Sequence, residues 1–537
     1  MSDTSADYIV VGGGLTGCVI ASRLSRRSDR PHVILLEAGT DASGNAATTG
    51  LLSGMSLLGG ELDYAYQSEP VASTAGRVHT LNAGKALGGG SVINFGGWLR
   101  ADAMDYDDWA EMVGDQRWSY EGMKPWFRKA ETFHDTDTNA EHHGFEGPMH
   151  VTSVTSSGLG ARQYLIREPI KHAWAELGVP LSLRRQDGRT RGLAEMCENS
   201  HHGMRQPSNM AYPLGDVEVL TNSNVHRVIF SGETATGVEL ADGRIITAKK
   251  EVVLCAGTYR TPQILMLSGI GPSATLNKHD IPVVHESPHV GQNLHDHFAI
   301  YFAYRLRDPS AGYALGSSVW KDPDLLKCMP WDWVVNEPTP AEIMKRHSSE
   351  TEKPEPNRYE VITIYAPPGL PGIPMDGNHI TTSTMLLRPT SRGEVSIRSN
   401  DPKDQPLIKP NYFSTPVDRD TLVYAARKTL KAMLTTSSMK SIIEGESPPS
   451  GEGFDGLTPL DASASDEAIE ERIRRTGMQH HHSGGTAAMG KVVDGEGRVL
   501  GVKGLRVADA SIIPMPLGGH PQATLYPMAE QLVTFVI

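Results

Sequence analysis

A glycine-rich turn between a strand and a helix is the feature that most constrains the fold of this chain. Residues 8–11 are an apolar, β-rich run that predicts a buried strand, and the motif Gly12-x-Gly14-x-x-Gly17 follows at once. A helix is predicted next over 18–27, and a second buried strand over 32–36. The three segments together predict a βαβ unit.

The spacing of this motif predicts a site for a dinucleotide. The glycines permit a tight turn and a close approach of the backbone to a pyrophosphate, and the helix N-terminus offers unpaired N–H groups to that anion. Glu37 ends the second strand, 20 residues past Gly17, where a carboxylate can accept hydrogen bonds from a ribose diol. Such an acid does not distinguish FAD from NAD.

Length and composition predict a globular protein of two domains. The chain has 537 residues, which is more than one ordinary core serves, and it is 39% hydrophobic and 21% charged. It has no run of about 18 apolar residues that would predict a transmembrane helix. The first strand begins so close to Met1 that a signal peptide has no room before it. We therefore expect a cytoplasmic protein.

Charge and cysteine content argue against a nucleic-acid-binding protein and against disulfide bonds. The formal net charge of −13 argues against a nucleic-acid partner, which requires a basic face. Cys18, Cys197, Cys255 and Cys328 include no C-x-x-C pair, so we expect all four to be reduced. We expect neither a nucleic acid nor a membrane as a partner.

Further elements follow from the hydrophobic pattern. Strands are predicted over 217–220, 225–230, 237–240 and 251–255, with a hairpin turn at Asp242-Gly243. Strands of a second sheet are predicted within 381–398, helices over 417–436 and 465–475, a strand over 505–507 and a final helix from about Tyr526. Residues 300–360 predict a loop or lid, with a charged stretch from Ser348 to Glu355.

Two glycine-containing segments have no chemistry that is evident from spacing alone. The loop Gly84 to Asn94 can bring backbone against a flat ring, but an ordinary structural loop explains it equally well. In the run 256–271, Thr261-Pro262 predicts the start of a helix and Ser268-Gly269 its end.

Two histidines in glycine-rich surroundings, His482 and His520, are the candidate proton-transfer groups. An imidazole accepts a proton near neutral pH, and a base within hydrogen-bond reach lets an alcohol lose its hydroxyl proton as it gives up hydride. The run His480-His481-His482 also suggests a metal site. We expect none, because adjacent positions of a strand do not converge on one ion and no acidic or cysteine cluster follows.

Taken together, these segments resemble the glucose–methanol–choline (GMC) oxidoreductase family of flavoproteins over nearly the whole chain. The loop 88–94 with Arg100-x4-Asp105-Tyr106-Asp107-x-Trp109 is similar to the first family signature, and 256–271 to the second. Further similar blocks are Val290 to His297, Pro389-x-Ser391-Arg392-Gly393, His482-x-x-Gly485-Thr486-x-x-Met489-Gly490 and Gly504 to Ser511.

The resemblance implies an α/β fold, with a Rossmann-like FAD-binding domain and an α+β substrate domain that contains an antiparallel sheet. The FAD domain is expected over 5–300, interrupted by substrate-domain and lid segments around 60–75 and 150–215. The substrate domain is expected over 301–480, and 481–537 returns to the FAD domain with the catalytic histidines.

The resemblance also assigns residues to the cofactor. It puts Gly12, Gly14, Gly17 and Glu37 on the ADP half of FAD, and Val228 at the adenine through its backbone. It puts Gly89, Ser91 and Asn94 near the flavin ring, and Asp509 with Thr524 near the ribityl and pyrophosphate. Ile93 stands where some relatives attach the flavin through a histidine, so noncovalent FAD is expected. The glycine-rich loop 516–519 before His520 departs from the common family pattern.

The activity implied is FAD-dependent oxidation of an alcohol CH–OH group, with hydride passing to flavin N5, His482 as general base and His520 assisting. A non-redox lyase, cyclase or dehydratase on the same scaffold remains an alternative, as does a flavin-binding protein without catalysis. The reduced flavin would pass electrons to dioxygen or another acceptor. Specificity is expected to come from residues within 300–390, acting on a small, intracellular, biosynthetic alcohol.

Overall fold

The structure is a computed structural model. It describes residues 4–135, 140–156, 162–182, 186–347, 355–367 and 369–536. The first of its two large sheets is built around the predicted βαβ unit. Strand Thr4–Val11 lies parallel to Val33–Leu36 on one side and to Ile245–Leu254 on the other. All four residues of Val33–Leu36 are buried, as is typical of a strand covered on both faces.

The strand order of this first sheet brings the two ends of the chain together. The C-terminal strand Leu505–Val507 pairs in parallel with Ile245–Leu254, so the last part of the chain joins the same sheet as the N-terminal strands. The order from one edge is Glu218–Leu220, Val33–Leu36, Thr4–Val11, Ile245–Leu254, Thr234–Leu240 and Val225–Ser231.

The second sheet is antiparallel, as expected. Its order is Ile443–Ser447, Phe298–Leu306, His379–Leu386, Asn357–Ile364, Trp331–Pro338 and Gly192–Glu195, with Met478–Gln479 also paired to Phe298–Leu306. Helix Pro416–Leu434 packs on this sheet and buries Leu422, Ala426 and Leu430, which recur at intervals of four along one helix face.

The longer helices are Leu15–Ser25, Ala103–Val113, Tyr120–Ala130, Arg167–Glu176, Gly257–Leu267, Pro416–Leu434, Asp466–Thr476 and Gln522–Leu532, and the shorter ones include Ser273–Lys278 and Ala341–His347. A small sheet joins Glu131–Phe133, Met149–Ser153 and Cys197–Glu198, and Ser200–His201 pairs with Met204–Arg205. All four cysteines are buried. Among the described helices, none has the length and apolar character needed to cross a membrane.

The prediction of a loop or lid over 300–360 was wrong in part. Three strands of the second sheet, Phe298–Leu306, Trp331–Pro338 and Asn357–Ile364, run through parts of that range, and the charged stretch 348–354 lies outside the described residues. Buried polar residues obscured the strand Trp331–Pro338. Asp332 is fully buried there, where it accepts a hydrogen bond from the Tyr365 hydroxyl and pairs with Arg167.

Two predicted helix starts were also wrong. The helix placed at Thr261-Pro262 begins at Gly257, and the final helix begins at Gln522 rather than about Tyr526. Pro262 is tolerated inside its helix because the Thr258 carbonyl, four residues earlier, accepts a hydrogen bond from Thr486 Oγ1 at 2.6 Å instead.

A fully buried ion pair ties the second sheet to the small three-stranded sheet. Arg162 and Glu198 are both 0% exposed in their side chains and lie 2.8 Å apart. Glu198 also accepts a hydrogen bond from Trp331 Nε1 at 2.7 Å. Removing one member of such a pair leaves a charge without a partner in an environment that water cannot reach.

We predict that Glu198→Ala lowers the free energy of unfolding by about 3–5 kcal/mol, as measured by urea denaturation followed through tryptophan fluorescence. The double variant Arg162→Met, Glu198→Met should recover part of the loss, because it removes both charges. The exposed pair Arg244–Asp242, with both side chains 54% exposed, is the control: Asp242→Ala should change stability little. Equal losses from Glu198→Ala and Asp242→Ala would contradict the prediction.

Candidate active site

A cavity of about 710 Å³ is lined by residues of both large sheets. Its volume lies in the upper part of the range usual for ligand sites. At one end are Gly12, Gly14 and Glu37, and at the other are His482 and His520. The structure thus brings the sequence-predicted phosphate loop and the histidine pair to one chamber.

The glycine loop leaves its backbone open to this cavity. A Cβ on Gly14 would meet no atom closer than 4.0 Å, whereas one on Gly12 would lie 2.4 Å from the Cys255 carbonyl oxygen. Gly14 is the N-cap of helix Leu15–Ser25, and no side chain caps that end. An uncapped helix N-terminus next to open space is suited to an anion such as a pyrophosphate.

Glu37 is held rigidly at the end of its strand. Its carboxylate accepts hydrogen bonds from the Gly13 N–H at 2.9 Å and the Gly39 N–H at 2.7 Å. Burial raises the pKa of Glu37 to about 7. The two hydrogen bonds lower this pKa, but burial has the larger effect. The side chain lines the cavity, where it can accept hydrogen bonds from a diol.

Asp509 supports the middle of the cavity. It accepts hydrogen bonds from the Gly257 N–H at 2.9 Å and from Thr261 Oγ1 at 2.6 Å. Burial is the main cause of the raised pKa of this carboxyl. Gly89 and Asn94 line the cavity as well, and Asn94 Nδ2 donates to Gln522 Oε1 at 3.1 Å.

Four residues assigned to the cofactor by resemblance lie behind the cavity wall instead of on it. A Cβ on Gly17 would lie 1.9 Å from the Gly12 carbonyl oxygen, so this glycine permits the helix to approach the loop. Ser91 Oγ donates to the Gly88 carbonyl, and Thr524 Oγ1 bonds to the Tyr106 hydroxyl. The Val228 N–H donates to Ser268 Oγ, and Val225, three residues earlier on the same strand, lines the cavity.

The hydrogen-bond partners of His482 determine which of its nitrogens is free. His297 Nε2 lies 3.0 Å from the Leu517 carbonyl oxygen, which can only accept, so Nε2 of His297 carries a proton. The other nitrogen of a neutral His297, Nδ1, must then accept from His482 Nδ1, 2.9 Å away. His482 is left with an unprotonated Nε2, as a general base requires.

The surroundings keep these rings uncharged. Burial, and then the neighbouring imidazoles, hold the pKa of His482 well below 6.5, and burial lowers the pKa of His297 to about 4. Asp296 accepts a hydrogen bond from the His482 backbone N–H at 2.8 Å and so fixes the start of the loop. Burial raises the pKa of Asp296 to about 7.

His520 has a different partner. Its Nε2 lies 2.8 Å from Glu360 Oε1, and Glu360 is fully buried. The ring centroids of His520 and His482 are 4.9 Å apart. A carboxylate stabilises positive charge on the imidazole that it contacts, so this second ring is suited to holding a substrate oxygen and sharing its proton.

The unusual glycines before His520 have a steric reason. A Cβ on Gly519 would lie 2.5 Å from the Ala101 backbone nitrogen, and one on Gly518 would lie 2.7 Å from Asp105 Oδ2. The loop can therefore pack directly on residues 99–105, and the His520 N–H donates to the Leu99 carbonyl at 2.8 Å. The departure from the family pattern leaves His520 in the cavity.

Sequence reasoning missed the partners of the histidines. Glu360 lies in a range that was predicted to be a loop. His297 stands in a family block that was noticed but was given no role at the site. A sequence signal existed for His297 in that block, whereas Glu360 is an isolated acid on a strand and has no local signature.

The comparisons with known proteins agree on one family. The N-terminal model of the GMC oxidoreductase family matches residues 6–299, and its C-terminal model matches 389–529. The chain is 38% identical to the GMC-type oxidoreductase acuG of Aspergillus aculeatus over 99% of each chain. It is 33% identical to an oxygen-dependent choline dehydrogenase of Paraburkholderia phymatum, covering 99% of this chain and 92% of the relative.

Solved structures agree with that result. A crystal structure of formate oxidase superposes with a TM-score of 0.89 at 27% identity, covering 100% of this chain and 99% of the other. Pyridoxine 4-oxidase from Mesorbium loti superposes with a TM-score of 0.84 at 25% identity, over 98% of each chain.

We predict that Gly97→Ala retains FAD but slows flavin reduction by substrate at least about 10-fold. The added Cβ would lie 2.6 Å from His520 Nδ1, so the ring must leave the position in which Glu360 holds it, and small misplacements of catalytic groups cost large factors in rate. Stopped-flow absorbance measures the rate. Gly445→Ala, whose Cβ would meet no atom within 4 Å, is the matched control. A normal rate in Gly97→Ala would contradict this account of His520.

Proposed function

Because the chain belongs to the GMC oxidoreductase family and uses FAD, we propose that it oxidises the CH–OH group of an alcohol with His482 as the base. The observation that carries the proposal is the contact of two differently partnered imidazoles, His482 and His520, in one cavity with the phosphate loop. The bound FAD supplies the hydride acceptor in this chemistry. The protein supplies positioning, exclusion of water and the route for the proton.

His482 is proposed to take the hydroxyl proton of the substrate at Nε2. Its Nδ1–H stays hydrogen-bonded to His297 throughout, so the ring keeps its orientation as it becomes charged. The low pKa of His482 keeps the base form populated before the reaction. The nearby Asp296 carboxylate, when ionised, would favour the charged ring afterwards.

His520 is proposed to donate a hydrogen bond to the substrate oxygen and to share the proton. Glu360 anchors Nε2 of His520 at 2.8 Å, so the hydrogen bond to the substrate would come from Nδ1–H, and it requires a His520 ring that carries both protons. In this role His520 would stabilise the negative charge that develops on the oxygen, while His482 carries out the proton abstraction.

FAD is proposed to be held without a covalent bond, and dioxygen to be the electron acceptor. Ile93, at the position of the attachment histidine in some relatives, is apolar and lines the cavity. Formate oxidase and pyridoxine 4-oxidase, both structurally similar to this chain, are oxidases by name.

The substrate is proposed to be an uncharged alcohol on a bulky apolar or aromatic group. Between the histidines and the second sheet, the cavity is lined by Met329, Trp331, Ile362 and Ile364. Among the described residues that line it, the carboxylates are Glu37 and Asp509. Glu360, the carboxylate that contacts His520, is not one of these lining residues, so a cationic alcohol such as choline would lack a carboxylate partner on the cavity wall beside the histidines.

We predict that the yellow protein bleaches anaerobically with aryl or other bulky apolar alcohols, and faster than with choline or glucose. His482→Ala should keep the flavin absorbance and lower the rate of bleaching by about 10²–10⁴-fold, since it removes the base. Admission of air should restore the colour, and acid precipitation should release the flavin.

The exposed His172 supplies the control, because His172→Ala should bleach at the normal rate. Normal bleaching in His482→Ala would refute the role of the base. Turnover of a substrate with the flavin oxidised throughout, and unchanged when a redox-inactive flavin analogue replaces FAD, would favour the lyase or cyclase alternative.

We predict that kcat/KM for the alcohol is constant from pH 6.5 into the neutral range and falls only at lower pH. Burial lowers the pKa of His482, so the neutral, base-competent ring persists as the pH decreases and is lost only when the pH passes through that low pKa. Initial rates between pH 4 and 8, with FAD retention checked at each pH, measure the profile. An acidic limb centred at or above 6.5 would contradict the prediction.

A further inference from the structure

We infer that His134, His150 and His201 form a binding site for a divalent transition-metal ion such as zinc, separate from the FAD cavity. One ring nitrogen from each histidine lies within 4.8 Å of those of the other two. None of the three belongs to the residues described as lining the cavity. The inference rests on this cluster alone and does not depend on the proposed activity.

Three different strand segments hold the histidines in place. His134 directly follows Glu131–Phe133, His150 lies in Met149–Ser153, and His201 lies in Ser200–His201. The first two strands pair in parallel, and the His134 N–H donates to the Val151 carbonyl at 3.0 Å.

The third strand is fixed close by, because Thr152 Oγ1 and Ser200 Oγ are hydrogen-bonded at 3.0 Å. The backbone under the cluster is therefore ordered before any ion binds. A metal site on such a scaffold loses little conformational entropy when it is filled.

The rings are already in contact. His134 Nε2 lies 2.7 Å from His150 Nδ1, and the His150 and His201 rings stack with their centroids 4.1 Å apart and their planes 5° apart. Zinc bonds imidazole nitrogen at about 2.0–2.1 Å, which places tetrahedral ligand atoms about 3.4 Å apart. The stacked rings would have to rotate about their side-chain torsions as the ion binds, so that all three nitrogens point at it.

The charge state of the cluster favours a cation. Burial and the neighbouring imidazoles lower the pKa of all three rings, that of His150 to about 4. The rings are then neutral at pH 7, and neutral imidazole is the form that ligates a metal. When the ion binds, the proton in the hydrogen bond between His134 and His150 would move to the other nitrogen of the ring that carries it. This is a change of tautomer, and it transfers no electrons.

The ligand set indicates which ions bind. Among the described residues, the grouped ligands are three imidazoles, which suit zinc, copper(II), cobalt(II) or nickel(II) better than magnesium and calcium, which prefer oxygen ligands. The three histidines are half-buried, so water can complete the coordination as a fourth ligand. An ion here would link the three strand segments and stabilise the region around them.

The test uses the FAD-loaded protein, freed of metal by a chelator and desalted. Zinc is titrated against a chromophoric zinc indicator, and cobalt(II) is added separately to look for the visible absorption of a tetrahedral site. We expect one zinc ion per chain with a dissociation constant in the micromolar range or below, and an increase in Tm when zinc is present. His150→Asn and His201→Asn should each weaken zinc binding at least 10-fold.

Two controls separate this cluster from other histidines. His226→Asn, at a half-buried histidine outside the cluster, and His482→Ala, in the cavity, should both retain the zinc ion. His150→Asn and His201→Asn should retain bound FAD, which shows that they are folded. If either one fails to fold, His134→Gln provides a further variant.

Failure of the wild-type protein to bind zinc at tens of micromolar would overturn the inference. Zinc binding that is unchanged in every cluster variant would overturn it too, as would binding that is lost only in His482→Ala. These outcomes are independent of the proposed function, because the absence of alcohol oxidation would leave the zinc titration unaffected.

Discussion

Several imidazole rings are buried side by side at the catalytic end of the cavity, and this is possible only while most of them are uncharged. Desolvation lowers the pKa of His297, His480, His481 and His482, and neighbouring imidazoles lower it further for all of these except His481. A neutral imidazole has a single N–H, so every hydrogen bond between two such rings has a direction. The Leu517 carbonyl sets that direction at one end, and the free nitrogen of His482 follows from it.

The second catalytic candidate, His520, has different hydrogen-bond partners. His520 lies near the same rings, but its Nε2 contacts the buried carboxylate of Glu360. Two titratable groups whose environments differ in this way can divide acid and base roles. The division depends on close packing, because a side chain at Gly97 or Gly519 would occupy the space that His520 and its loop need. Close packing at Gly97 and Gly519 and the contact with Glu360 therefore both determine the position of His520.

The local part of the site was predictable from sequence, and the tertiary part was not. The βαβ unit, Glu37 and the two histidines have signatures in spacing and composition. Glu360 has no such signature, because its contact with His520 joins a strand to a loop that is 160 residues away in sequence. The strand Trp331–Pro338 was missed because Asp332 and Asn336 are polar yet buried. Their burial depends on tertiary partners such as Tyr365, which periodicity cannot reveal.

The histidines of this chain also show why a run of identical residues is a poor guide to metal binding. His480, His481 and His482 are adjacent and all line the cavity, yet within the described residues the histidines whose nitrogens lie close enough together for one ion are His134, His150 and His201. These three are widely separated in sequence, and strand pairing brings them together. Burial does not distinguish the two groups, because His480 and His482 are half-buried like the three strand histidines. The convergence of ring nitrogens toward one point, which strand pairing produces, therefore separates the candidate metal ligands from the proton-transfer histidines.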